Sequence, residues 1–378
     1  MRPIVPSVLA LLAAAAAPLR AQPEANRFEQ QVLLQGVFDE PTEIAVARDG
    51  RVFIVERKGT VRLYDPRTQA SRVVARLDVF HEDENGLIGV ALDPRFDANH
   101  FVYLARTVGD STRPRHRLAR FTFTGDALRD ERVLVEVPIN PGCCHTAGSI
   151  TFDGRGNLFV SFGDNTNPFA TPHAPIDDAP GRQLWDARRS AANTQDLRGK
   201  ILRITPTADG RYTIPAGNLF TDAREGRPEI YTMGHRNPYR ISVDRHTGFL
   251  YWGEVGPDAR EDSSAGPKGY DEINQARRAG NFGWPLFIAD NKPYRDRDIA
   301  TGVQRAPFDP AHPVNDSHNN TGAKVLPPRS RRSSGTRTTG ARSSRSSARA
   351  AARRWRGRCT TRPTSPPACG SRRTTTGS

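Results

Sequence analysis

Apolar runs of four to six residues, separated by polar pairs that favour turns, fill most of the chain from residue 44 onward. Ile44-Ala45-Val46-Ala47 leads through Asp49-Gly50 into Val52-Phe53-Ile54-Val55, and Gly59 opens a third run at residues 60–64. Runs of this length, rich in β-branched and aromatic residues and bounded by Gly, Asp and Pro, predict strands; a sustained helical period is absent. The cadence returns at residues 89–94, 101–104 and 118–121, again at 149–154, 158–161 and 200–204, and again at 240–244, 249–252 and 272–274. The leading residues of the four copies, at 44, 90, 150 and 241, are 46, 60 and 91 positions apart. The shortest spacing suits a four-stranded propeller blade of ~40–50 residues, and the longer ones leave room for insertions at 168–194 and 211–227. A β-sandwich also carries frequent turn signals. The repeated strand, Asp-Gly turn, strand, strand order favours an all-β propeller.

Charge changes this picture only at the end of the chain. The 378 residues carry a net charge of +14, but residues 329–378 hold 14 Arg and no Lys, Asp or Glu. Residues 1–328 balance at 41 basic and 41 acidic groups. A nucleic-acid or anionic-membrane partner for the body therefore has no electrostatic support, and no nucleic acid is expected. The tail also lacks Val, Ile, Leu, Met, Phe and Tyr. It cannot build a core and is expected to be disordered and to pack against nothing. With suitable codons, a two-base skip at three places along it yields Val-Trp-Tyr-Pro-Tyr-Asp-Gly, then Gly-Pro-Val-Tyr, then Tyr-Tyr-Asp-Gly. The tail is accordingly read as the product of a shifted frame rather than as a basic arm.

The other end reads as an export signal over residues 1–21. A basic start is followed by an apolar run at 4–18 and by Ala21. That run is too short to cross a bilayer, which takes ~20 residues, and no later segment is apolar enough to do so. A periplasmic or secreted protein with its domain at 22–328 is the expectation, with no membrane span. Within that domain the cysteines are Cys143 and Cys144 alone. A vicinal disulfide and a pair of buried thiols both remain open.

Three clusters carry candidate chemistry. Cys143-Cys144-His145-Thr146 precedes one predicted strand and Gly163-Asp164-Asn165 follows the next, so a hairpin brings them to one edge. His145 beside Asp164 would make an oriented general base. In Gly234-His235-Arg236-Asn237-Pro238, Arg236 offers a fixed fork of donors to a carboxylate or quinone oxygen. Glu254-Val255-Gly256-Pro257-Asp258, with Tyr270-Asp271-Glu272, is rich in hard oxygens of the kind Ca²⁺ takes.

Taken together, the stretches at 85–96, 234–238, 256–257, 271–274 and 280–285 resemble the soluble pyrroloquinoline-quinone (PQQ)-dependent sugar dehydrogenases, the glucose/sorbosone dehydrogenase family, in that family's order from about Phe28 to about Leu326. The resemblance implies a six-bladed propeller, shortened here to about four or five blades because the later cofactor-binding residues would fall where the tail stands. It implies that His145 removes the sugar hydroxyl proton with Asp164 in support, and that Arg236 and Asn237 hold PQQ. Gly256 and Pro257 would offer carbonyls to Ca²⁺. Glu84 stands where many members place a sugar-contacting Gln. An aldose substrate and an external electron acceptor, a quinone or cytochrome, follow from the same resemblance. The rival reading is a non-catalytic exported propeller that binds carbohydrate or protein.

Overall fold

The computed structural model describes residues 29–141, 144–298 and 301–330, together with a strand at Thr338–Gly340. The expected export signal, Cys143 and the remainder of the tail lie outside the described residues. Of the first compact unit, Met1–Val37, residues 29–37 are described and form no strand or helix; the fold belongs to the second, Phe38–Ser378.

Four principal sheets follow one another along the chain. The first joins β1 (Pro41–Val46), β2 (Val52–Glu56), β3 (Thr60–Asp65) and β4 (Ala70–Arg76) as an antiparallel meander. The second repeats that order with β5 (Leu87–Leu92), β6 (Phe101–Val108), β7 (Arg115–Phe123) and β8 (Leu128–Pro138). The third runs from β9 (Ala147–Phe152) through β10 (Leu158–Phe162) and β11 (Lys200–Pro206), which also pairs with β12 (Tyr212–Thr213), to β13 (Ile230–Met233). The fourth holds β14 (Pro238–Val243), β15 (Leu250–Glu254) and β16 (Tyr270–Ala276). A short strand β17 (Gly280–Asn281) returns to lie parallel to β13. Two ribbons follow: β18 (Phe287–Ile288) with β19 (Lys292–Pro293), and β20 (Arg295–Arg297) with β21 (Gln304–Pro307).

Successive inner strands pack side by side, β1 on β5, β5 on β9 and β9 on β14. This is a four-blade propeller arrangement, not a pair of stacked sheets. The apolar runs explain it. Along a strand, side chains alternate between faces. On β6, Val102 and Leu104 enter the core shared with the first blade, which includes Phe53, Val55 and Leu63, while Tyr103 and Ala105 enter the core shared with the third. On β10, Leu158, Val160 and Phe162 face back to the second blade, and Phe159 faces forward to Ile241, Leu250 and Trp252 of the fourth. A strand buried on both faces is apolar along most of its length, with Arg106 and Thr107 of β6 and Ser161 of β10 the buried polar exceptions.

Each inner strand ends in the same turn. Asp49, Asp93, Asp153 and Asp244 each accept, through Oδ1, the N–H two residues on, at Arg51, Arg95, Arg155 and His246. Such Asx turns satisfy the donor that the hairpin leaves free. Between the inner strands, Glu43 of β1 accepts the Val90 N–H of β5 at 3.1 Å and the Ser149 hydroxyl of β9 at 2.9 Å. Burial pushes its carboxyl up; Arg240 of β14, 4.0 Å away, and the two donors oppose that shift. A cavity of about 650 Å³ opens at the far ends of these strands, past Val46, Leu92, Phe152 and Val243. Among the described residues no helix is long and apolar enough to cross a membrane.

The start of the tail departs from expectation. Arg329 is only 7% exposed. Its guanidinium donates to the carbonyls of Phe282 at 2.9 Å and Ala289 at 3.0 Å, and to Asn291. The Ser330 N–H donates to the Asn281 carbonyl at 2.7 Å, and Thr338–Gly340, here β22, pairs antiparallel with β16. Residues 329 and 330 thus pack against the body. Composition treats Arg as a solvated charge, whereas one guanidinium can serve several buried carbonyls at once.

Candidate active site

The segments that enter β5, β9 and β14 all arrive at the same end of the inner strands, opposite the Asp turns, and they carry Glu84, His145 and Asn237. Asp164 reaches the same place from the end of β10. His145 is 3% and Asp164 0% exposed. The imidazole Nδ1 lies 2.6 Å from Asp164 Oδ1. The carboxylate is itself held, Oδ1 accepting the Thr166 N–H at 3.0 Å and Oδ2 accepting the indole N–H of Trp284 at 2.7 Å. With Nδ1–H donated to Asp164, Nε2 presents its lone pair, and it makes no hydrogen bond among the described residues. That is the tautomer a general base needs.

Close approach at this point demands glycine. A Cβ at Gly163 would stand 1.8 Å from the His145 carbonyl oxygen. The loop from 163 to 199 is fastened beneath by Lys200, whose Nζ donates to the carbonyls of Ser190, Ala191 and Arg198 at 2.8, 3.1 and 2.8 Å. Burial pushes this amine down to about 7.

Arg236 and Asn237 join the same cluster. The Asp164 N–H donates to the Arg236 carbonyl at 2.8 Å, and Asn237 Oδ1 accepts the Ala147 N–H at 3.1 Å. The Asn237 amide Nδ2 makes no hydrogen bond among the described residues and is left to donate. One guanidinium N–H of Arg236 donates to the Val255 carbonyl at 3.1 Å. The side chain also lines a cavity of about 260 Å³ with Pro257, Asp258, His173 and Phe169. Phe169 is 81% exposed there.

The sequence offers Glu254 as one of a set of acids suited to Ca²⁺. Its place is different. Oε1 accepts the N–H groups of Arg236 at 2.9 Å and Asn237 at 2.7 Å, while Oε2 lies 3.0 Å from both His235 Nδ1 and the indole nitrogen of Trp252. It is the scaffold of the Arg-Asn turn. Trp284, the orienter of Asp164, carries no role in the sequence reading either; an indole beside Gly283 and Pro285 gives no sign of which distant carboxylate it will meet.

Gly256 and Pro257 sit against the 269–271 segment. A Cβ at Gly256 would come within 2.0 Å of the Tyr270 carbonyl oxygen, and one at Gly269 within 1.6 Å of the Pro257 carbonyl oxygen. Asp271 accepts the Gly256 N–H at 3.0 Å; burial pushes its carboxyl up. Among the described residues no group of three His, Cys, Asp or Glu side chains is arranged to hold a metal ion. Glu84 meets the base rather than this segment: its Oε2 accepts the His145 N–H at 2.7 Å and the Thr146 N–H at 3.3 Å. Cys144 is disulfide-bonded, and every other cysteine lies outside the described residues.

Comparison with known proteins places this arrangement. The family model described as Glucose / Sorbosone dehydrogenase matches residues 38–326. The aldose sugar dehydrogenase YliI of Escherichia coli is 27% identical over 67% of this chain and 61% of its own length. The quinoprotein glucose dehydrogenase B of Acinetobacter calcoaceticus is 24% identical over 70% of this chain and 54% of its own. The chain therefore spans less than two thirds of either relative. Among solved structures, a proposed oxidoreductase (glucose dehydrogenase) from Thermus thermophilus is 32% identical with a TM-score of 0.54, covering 69% of this chain and 70% of that one.

Proposed function

Because the chain belongs to the Glucose / Sorbosone dehydrogenase family, we propose that it is an exported oxidoreductase that uses PQQ and Ca²⁺ to oxidise an aldose at the anomeric carbon. The observation that carries this reading is the His145–Asp164 pair, 2.6 Å apart, with Nε2 making no hydrogen bond among the described residues and with Arg236 and Asn237 tied to the pair through the Arg236 carbonyl and Asn237 Oδ1. When bound, PQQ supplies a two-electron acceptor for hydride. The protein's part is to hold its oxygens and to take the proton. Arg236 suits an anionic quinone because a guanidinium binds planar oxygen pairs through parallel N–H bonds. The Asn237 amide adds a neutral donor, and Glu254 fixes the main chain from which both side chains project. His145 takes the hydroxyl proton through Nε2, and Asp164 stabilises the imidazolium that forms. Positive and dipolar groups placed where negative charge develops lower the barrier.

The fit to calcium is narrower. Gly256 and Pro257 would offer two main-chain oxygens, whereas Ca²⁺ takes about six to eight. The remaining oxygens would come from the cofactor and from water, so calcium and PQQ are expected to bind together. The relative named a quinoprotein and the relative named an aldose sugar dehydrogenase support these assignments. An external quinone or cytochrome would remove the electrons.

The test is aldose-dependent dye reduction by the full chain supplied with PQQ and Ca²⁺, beside His145→Ala. Loss of general base catalysis should lower turnover by ~10²–10⁴-fold. Equal turnover in the variant would remove His145 from the chemistry, and dye reduction by neither protein would favour a binding propeller.

A further inference from the structure

We propose that Glu84 is a positioning residue for the base, gripping the main chain of the His145 turn. The inference rests on His145 being the base. His145 and Ala147 both have left-handed backbones, with φ of 60° and 49°. For residues with a Cβ this conformation is strained, and it persists only where the surroundings over-determine it.

What over-determines the turn is a clamp drawn from two other blades. Three successive N–H groups, those of His145, Thr146 and Ala147, are each held by a side chain. Glu84 takes the first two from the segment that enters β5. Asn237 takes the third from the segment that enters β14. Neither comes from the blade to which His145 belongs, so the turn is held from both sides.

The far side is closed as well. Gly163 passes so near the His145 carbonyl that the turn has no room to relax in that direction. Asp164 then fixes the ring by its Nδ1. The position of Nε2 depends on the turn as much as on the ring, and a reacting group displaced by ~1 Å can lose ~10²-fold in rate. The His145 and Thr146 N–H groups are both taken by the one oxygen, Glu84 Oε2.

The clamp is tested on the full chain without cofactor by amide hydrogen exchange, comparing wild type with Glu84→Ala and Glu84→Gln. A hydrogen bond to a charged acceptor is worth ~10–100-fold in an opening equilibrium. Glu84→Ala should therefore raise exchange at His145 and Thr146 by at least about ten-fold, with the melting temperature lowered by only a few degrees. Glu84→Gln keeps an accepting oxygen without the charge and should recover part of the protection, leaving exchange between wild type and Glu84→Ala. In PQQ- and Ca²⁺-loaded protein, Glu84→Ala should lower kcat by ~10–100-fold with KM within about two-fold, and Glu84→Gln should restore most of kcat. Unchanged exchange at both amides in Glu84→Ala overturns the proposal. So does a large rise in KM at constant kcat in both variants, the pattern of a lost sugar contact. Loosened amides in a chain whose wild type oxidises no aldose would support the clamp and remove the dehydrogenase reading instead.

Discussion

His116 shows how one side chain can report on the packing around the site. It lies on β7, stacked on Phe162 at 5.6 Å between ring centres, with Nδ1 3.3 Å from the Thr107 hydroxyl and Nε2 buried without a hydrogen bond among the described residues. Burial, and then the charge of Arg198, pushes it down to about 3. An unfolded histidine titrates near ~6.5. Between those values the unfolded chain binds a proton that the folded chain does not. The stability due to neutral His116 is therefore complete above about pH 6.5 and is lost as pH falls toward 3, with a slope of up to ~1.4 kcal/mol per pH unit. His116→Phe keeps the ring and cannot charge. Urea unfolding at pH 8, 6 and 5 should give a shallower acid loss for the variant; parallel curves would mean His116 is accessible to protons in the fold. At this scale the sequence was most legible for residues whose chemistry is local. His145 and Asp164 stood at the two ends of one hairpin, and the hairpin joins them. Glu254, Trp284 and the use of Glu84 depend on contacts between blades, and no spacing along the chain encodes those.

The repeating element is the inner hairpin with its Asp turn. Asp153 does more in its turn than Asp49 does. Its Oδ1 accepts the N–H groups of Arg155 and Asn157, and its Oδ2 accepts the Asn157 amide at 2.7 Å. Asp49 accepts the Arg51 N–H and pairs with the Arg51 side chain, both on the surface. Asp153→Ala should cost ~1–3 kcal/mol, and Asp49→Ala under about 1, as measured by denaturant unfolding. Equal costs would show that the turn is set by glycine alone. The runs that revealed the strands were those buried on both faces, such as β6 and β10. The outer strand β8 escaped notice because its sequence, Leu-Arg-Asp-Glu-Arg-Val-Leu-Val-Glu-Val-Pro, is mostly solvated through its first half. Outer strands need apolar residues on one face at most, so the apolar signal fades outward through each blade.

At the scale of the whole molecule, the four copies at 44, 90, 150 and 241 became four blades, with the long insertion between β10 and β11 supplying Asp164 and the wall that bears Phe169. The basic tail was the least legible part. Its composition said nothing of Arg329, whose fork of donors fits three acceptors left open between the end of β17 and the ribbon that follows. The inner-strand ends form the site at which, in the function proposed, His145 deprotonates a sugar beside a bound quinone. The most direct measurement is anaerobic mixing of the PQQ- and Ca²⁺-loaded chain with an aldose, following the cofactor spectrum through a single turnover with no acceptor present. Reduction of the bound quinone is expected in the wild type, slowed by at least ~10²-fold in His145→Ala. A spectrum that aldose leaves unchanged, or one that changes at the same rate in both proteins, would contradict it.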